Sequence, residues 1–146
     1  MKSPTLMSKF INTTSPNGIS IGLLILRVGI SFSMIYLHGY PKLVNFSEFS
    51  NEFADPLRIG SAVSLGLVLF AEFYCSVFLI IGLFVRLSSV PLIITMIVAT
   101  WIINGDKDFI FQEKSFIYLI AYISLMINGG GRFSIDYLIK RKKVKT

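Results

Sequence analysis

Residues 60–103 read GSAVSLGLVLFAEFYCSVFLIIGLFVRLSSVPLIITMIVATWII, and within this stretch Glu72 and Arg86 are the only charged side chains. A helix rises about 1.5 Å per residue and the hydrocarbon layer is about 30 Å thick, so roughly 20 apolar residues make one crossing. The stretch is long enough for two crossings, and Arg86 marks the break between them. One span is predicted from about Gly60 to Val85 and the next from Leu87 to about Ile103. Pro91 falls in the first turns of the latter, where a missing backbone donor costs least, and Trp101 near its far end, where interfacial aromatics are favoured. Barrel strands alternate apolar and polar residues over about ten positions, whereas these runs are continuously apolar, so the pattern is helical.

Reading outward, a third apolar run extends from Ile19 to about Leu37, interrupted by Arg27, with Gly39 and Pro41 as its predicted end. Toward the C-terminus the clean run Ser115–Ile127 is too short to cross alone. It must recruit Phe109–Lys114, which draws Glu113 to the membrane boundary, and Gly129, Gly130 and Gly131 stop it. The predicted fold is all-α, a four-helix transmembrane bundle, which satisfies every backbone donor and acceptor in lipid. Bulk composition agrees: the chain is 53% apolar and 15% charged, with a mean hydropathy of +0.70. We divide the 146 residues into a cytoplasmic N-terminal segment (1–18), a four-span membrane domain (19–137) and a basic cytoplasmic tail (138–146). Between the first two spans, Phe46, Phe49 and Phe53 recur at i, i+3 and i+7, with Glu48 and Glu52 on other faces. That pattern predicts a short amphipathic helix on the bilayer surface or capping the bundle.

Orientation follows from lysine and arginine in the connections. Nine lie on the side of the two termini (Lys2, Lys9, Arg86, Arg132, Lys140, Arg141, Lys142, Lys143, Lys145) and four on the other (Lys42, Arg58, Lys107, Lys114). The positive-inside rule puts both termini in the cytoplasm. Residues 1–18 contain no apolar core or small-residue cleavage site, so no cleaved signal peptide is expected.

The net charge of +6 is concentrated in the terminal run and is not interleaved with aromatics along a groove, so no nucleic-acid partner is expected. Cys75 is the single cysteine and His38 the single histidine. One chain therefore supplies no disulfide, CxxC pair, cysteine zinc site or multi-histidine metal or haem site. Sharing between subunits stays open, and the metal expectation for one chain is none.

Two charges fall inside predicted spans. An unpaired charge at such depth costs at least about 2.5–3.5 kcal/mol on insertion scales. Arg27 and Glu72 enter from opposite sides on neighbouring antiparallel spans, so an ion pair between them is the expected compensation. Helical spacing places Arg27, Ser31, Met34 and His38 on one face of the first span and Glu72 and Ser76 on one face of the second. On the fourth, Glu113, Ile117, Ile120 and Ser124 share a face, with Tyr118 and Tyr122 beside it. Together they outline a polar pocket open to the outer side.

Six motifs then resemble a known family. They are Leu26-Arg27 in the first span, His38-Gly39-Tyr40-Pro41-Lys42 at its end, Ala71-Glu72, the run from Ile81 to Leu87, and Glu113-Lys114 with the later Gly131-Arg132-Phe133-Ser134-Ile135-Asp136. Their order over residues 19–137 resembles the DoxX family of small bacterial membrane proteins. The resemblance implies a four-helix protein of the bacterial inner membrane, and matching positions at Arg27, His38, Lys42, Glu72, Arg86, Glu113 and Arg132. Some relatives are subunits of a thiosulfate:quinone oxidoreductase and others are linked to redox-stress complexes, but the matched positions are no known catalytic set.

The chain carries no flavin fingerprint, cysteine pair or haem-ligand set, so no covalently bound cofactor is expected and redox work would need a quinone or a partner that carries the cofactor. The leading expectation is an accessory membrane subunit of a quinone-linked oxidoreductase or redox-stress complex, with membrane or redox proteins as partners besides the bilayer itself. A small-solute or proton-linked transporter is the second reading; with four spans it would need a homo-oligomer to build a path. A structural or assembly factor for other membrane proteins is the third.

Overall fold

The computed structural model describes residues 15–143. Four helices are long and apolar enough to span a membrane: α1 (Pro16–Val44), α3 (Ser61–Ile81), α4 (Val85–Ile103) and α5 (Phe109–Asn128). A single turn, α2 (Phe46–Phe49), follows α1, and α6 (Ile135–Lys143) follows α5. No strand occurs among the described residues. The protein is an all-α four-helix transmembrane bundle. Part of the expected N-terminal segment (1–14) and of the tail (144–146) lies outside the described residues, and with them Lys2, Lys9 and Lys145.

The span ends differ from the expected ones for identifiable reasons. Gly39 and Pro41 do not end the first span, which continues to Val44. A helical proline removes a hydrogen bond and its ring collides with the carbonyl four residues back. Here the helix widens into a π-turn over Ile35–Gly39, where the Tyr40 N–H bonds to the Ile35 carbonyl, so the ladder is already loosened where Pro41 needs room. The second span stops at Ile81 and not at Val85. Gly82 adopts the left-handed conformation (φ +77°) and its N–H bonds to the Phe78 and Leu79 carbonyls, while the Leu83 N–H reaches Phe78 as well. The amphipathic helix expected over 46–53 contracts to the one turn of α2, and Phe53 lies in the turn beyond it.

The core joins all four spans: Met34 from α1, Ala71, Cys75 and Leu79 from α3, Leu92 and Met96 from α4, and Leu119, Tyr122 and Leu125 from α5. Apolar side chains on the opposite faces, such as Ile25, Phe70, Ile102 and Ile120, are exposed, which is the lipid-facing pattern of a bundle in hydrocarbon.

At the end nearest the termini, two of the sequence motifs interlock. The Asp136 carboxylate accepts the backbone N–H groups of Phe84 (2.7 Å) and Val85 (2.9 Å), capping the orphan donors at the start of α4. In return the Asp136 N–H donates to the Gly82 carbonyl at 3.0 Å. Arg27 enters the same knot: its Nη1 donates to the Gly130 carbonyl at 3.0 Å and its Nη2 to that of Phe133 at 2.9 Å. Gly82 is the point at which these parts meet, because a Cβ there would sit 2.5 Å from Arg27 Nη1 and 2.8 Å from Ser134 Cα.

Gly82→Ala should therefore lower unfolding stability by about 2–4 kcal/mol, from left-handed strain plus displacement of the buried guanidinium. Gly66→Ala, in the interior of α3 with nothing within 4 Å of the added Cβ, should be neutral or stabilising by up to ~1 kcal/mol. Thermal unfolding of the two variants in one detergent tests the contrast, and equal losses would contradict it.

Candidate functional site

The same bundle is loosely closed at its other end. A cavity of about 460 Å³ lies there between the spans and the connection that joins α2 to α3. Its walls are mostly apolar (Leu67, Val68, Ile94, Met96, Ile103, Phe111), and its polar groups are Lys42 and His38 from α1, Glu72 and Ser64 from α3, Thr95 from α4, Asn104 just after it, and Lys114, Ser115 and Tyr118 from α5. This size and lining match a small-molecule pocket.

The centre of the polar wall is a Lys42–Glu72 ion pair with an Nζ–Oε2 distance of 2.6 Å, the glutamate side chain 6% exposed and the lysine 20%. The expected Arg27–Glu72 pair does not form. Arg27 is bound to the Gly130 and Phe133 carbonyls, and Asp136 is the carboxylate whose field it feels. Register is the cause: Arg27 sits in the layer of the α5–α6 connection, while Lys42, held on the last turn of α1 by continuation of the helix through Pro41, reaches Glu72. Close approach of α1 and α3 depends on Gly39, where a Cβ would lie 3.1 Å from the Glu72 backbone and from Phe73 Cβ.

His38 is half-buried on the cavity wall, edge-on to the Tyr118 ring at 5.9 Å. The Tyr118 hydroxyl shares a 2.6 Å hydrogen bond with Ser33 Oγ, and its ring stacks on Tyr122 at 6.1 Å. Ser31, Ser76 and Tyr122 are fully buried and do not line the cavity; their hydroxyls have no hydrogen-bond partner among the described residues. Glu113 departs from the expected grouping, since it is exposed and outside the cavity, and Ile117 and Ile120 on its face are more than half exposed. The side chains of α5 that border the cavity are instead Lys114, itself exposed at the rim, Ser115 and Tyr118, with Tyr122 buried one turn beyond. The i, i+4, i+8 spacing of Lys114, Tyr118 and Tyr122 was the signal that could have found Lys114.

π-helical turns border this cavity in three of the four spans: Ile35–Gly39 holds His38, Phe70–Cys75 holds Glu72, and Val98–Ile103 contributes Val98, Ala99 and Ile103. Such turns splay side chains out of the α-helical register and recur at functional sites. The connecting segment forms the remaining wall through Phe53, Ala54, Pro56, Leu57 and Ile59. Asp55 staples it to α3, accepting from the Ile59 N–H (3.1 Å), the Gly60 N–H (2.7 Å) and Ser64 Oγ (2.8 Å). The Ser64 hydroxyl first, then those amides, hold the Asp55 carboxyl below its ordinary pKa.

Two predictions follow from these contacts. Because the folded-state pKa of Asp55 is lowered, its stabilisation is fully present above the unfolded value of about 4 and is lost as pH falls through the folded value. The melting-temperature gap between the parent and Asp55→Asn should be constant near neutrality and close under acid; a gap that widens below about pH 4 would refute the staple. In a double-mutant cycle, Lys42→Met with Glu72→Leu should show coupling, Lys42→Met alone costing about 2–3 kcal/mol and the double variant recovering part of it. Arg27→Leu with Glu72→Leu, with no shared partner, should be additive within about 0.5 kcal/mol.

The DoxX family model matches residues 22–105, from the first turns of α1 to the end of α4. The match takes in four of the six motifs named above, those from Leu26-Arg27 to Leu87. A protein of Haemophilus influenzae described as uncharacterized is 26% identical over 132 residues, covering 85% of this chain and 87% of that one. No solved structure gives a significant match. With the family match spanning more than half of the chain and enclosing Arg27, His38, Lys42 and Glu72, the protein belongs to the DoxX family.

Proposed function

We propose that the cavity holds the head of a quinone-like molecule and that the chain acts as an accessory membrane subunit of a quinone-linked oxidoreductase or redox-stress complex. We place it in a bacterial inner membrane with both termini cytoplasmic, as the lysine and arginine asymmetry favours. The observation that carries the reading is the composition of the cavity: mostly apolar walls of a drug-sized volume with a few hydrogen-bonding groups, Lys42, Glu72 and Tyr118 among them.

The side chains fit such a guest. A quinone head presents two carbonyl oxygens on a flat apolar ring, and Lys42 and Tyr118 offer donors, with the His38 ring among the aromatic and aliphatic surfaces. The guest would supply the two-electron chemistry; this chain's residues bind, orient and exclude water. Glu72 and His38 are groups on the cavity wall able to accept a proton, with Lys42 at 2.6 Å balancing the charge of Glu72. Electrons would have to arrive from a partner subunit, in keeping with an accessory role.

Photolabelling tests the reading. The purified protein in lipid nanodiscs is irradiated with a short-chain azidoquinone and the adducts are mapped by mass spectrometry. Adducts should fall on residues 38–42, 67–72 and 111–118, compete with unlabelled quinone, and drop about tenfold in Lys42→Met with Tyr118→Phe, two hydrogen bonds being worth about 1–3 kcal/mol together. Adducts spread over lipid-facing positions and unchanged by the variants would refute quinone binding. Retention of a polar solute in place of quinone would move the assignment to a transporter, and a stable protein partner without any ligand to an assembly factor.

A further inference from the structure

A second groove, of about 380 Å³, lies at the opposite end of the bundle, against the first turns of α1 and beside α6. Ile19 and Leu23 of α1 form an apolar wall, Asn128 and Tyr137 contribute polar edges, and Arg132 and Lys140 are the cations. The one carboxylate in the groove, Asp136, is already committed, with its two oxygens on the Phe84 and Val85 amides and its charge opposed by Arg27. Arg132 spends one donor on a neutral group, Asn17 Oδ1 at 2.9 Å. The groove therefore keeps a net positive charge at the edge of the hydrocarbon layer, directly beside a lipid-facing strip of α1.

The helix that borders it is built to lie on a membrane. Along α6, Ile135, Leu138 and Ile139 are exposed apolar residues, and Lys140 and Arg141 are exposed cations. This is the pattern of an interfacial amphipathic helix. Its first turn is held against the bundle by the Asp136 contacts to α4 and the Arg27 contact to the Phe133 carbonyl.

We infer that this groove is a binding site for an anionic phospholipid: the phosphate against Arg132 and Lys140, the acyl chain along Ile19 and Leu23. A zwitterionic lipid would bring its own cation toward those side chains and bind less well. The site is separate from the cavity near Glu72 and stands or falls independently of it.

The test is native mass spectrometry of the delipidated protein in a neutral detergent, titrated with phosphatidylglycerol, phosphatidylcholine or inorganic phosphate, together with its thermal shift. Phosphatidylglycerol should be retained as one tight adduct per chain and raise the melting temperature, while phosphatidylcholine and phosphate should do neither. Near-surface cations contribute about fivefold each to the attraction of an anionic lipid. Lys140→Gln should therefore weaken retention about fivefold and Arg132→Gln with Lys140→Gln about 25-fold. Arg141→Gln, outside the groove, should leave the tight adduct unchanged. Because Arg132 also holds Asn17, the Lys140→Gln variant decides if the double variant fails to fold. Equal retention of both lipids, undiminished retention in Lys140→Gln, or the same stabilisation by phosphate alone would overturn the assignment.

Discussion

A guanidinium carried into hydrocarbon stays charged and brings five N–H donors that must be answered by protein acceptors. Helix carbonyls are poor acceptors for it, since the helix ladder already uses them. Arg27 is answered where the chain has left the helix, by Gly130 and Phe133 just after α5. Gly129 and Gly131 turn the backbone there through positive φ (+74° and +69°), a conformation that presents those carbonyls inward and that side chains rarely tolerate. Gly82 leaves the space that the guanidinium occupies. With the α5–α6 connection thus held against α1, Asp136 reaches the first amides of α4 and the helix start is capped.

The opposite end is organised on a different principle. There the charges meet side chain to side chain, through Lys42 and Glu72, and the helices bordering them are π-widened at Ile35–Gly39, Phe70–Cys75 and Val98–Ile103. Each π-turn places one more residue in the turn than an α-helix would, at poorer hydrogen-bond geometry. Such turns persist when packing of particular side chains compensates for them. His38 and Glu72 are two of the residues so placed, and both face the cavity. The bundle therefore has a knotted end and a hollow end, and the fold holds itself together at the former.

The four spans were legible because length and continuous hydropathy report directly on a 30 Å apolar layer. Their ends were less so. Pro41 was read as a stop because a proline ends an ordinary α-helix, and nothing in the local sequence announces the π-turn that accommodates it. The fourth span needed Phe109–Lys114, and the helix does begin at Phe109. Helical spacing also selected Arg27, His38 and Glu72 as inward-facing. It could not choose their partners, because partner choice depends on the relative depth of helices and on backbone carbonyls, which carry no side-chain signature. Asp136 illustrates the gap: its motif was noticed, but its role as a cap for a helix 51 residues earlier is a tertiary fact. Glu113 and Lys114 show the finer limit, for one residue of rotation, about 100°, separates the lipid face from the cavity.

Separation of the two charged layers has a consequence for chemistry. Had Arg27 bound Glu72, a rigid bidentate fork would have closed the interior, and opening it for a ligand would have stranded two buried charges. Since Arg27 is satisfied by backbone, Glu72 is left to a lysine, a compact ammonium on a flexible four-carbon stem. The Lys42 side chain is also the more exposed member of the pair. It can therefore turn one donor toward an entering acceptor while keeping another on the carboxylate, so the polar wall can exchange partners without disturbing the knot that maintains the fold. Placing the fixed charge where the backbone can hold it, and the adjustable one beside the cavity, separates the contacts that hold the fold from those that line the hollow end.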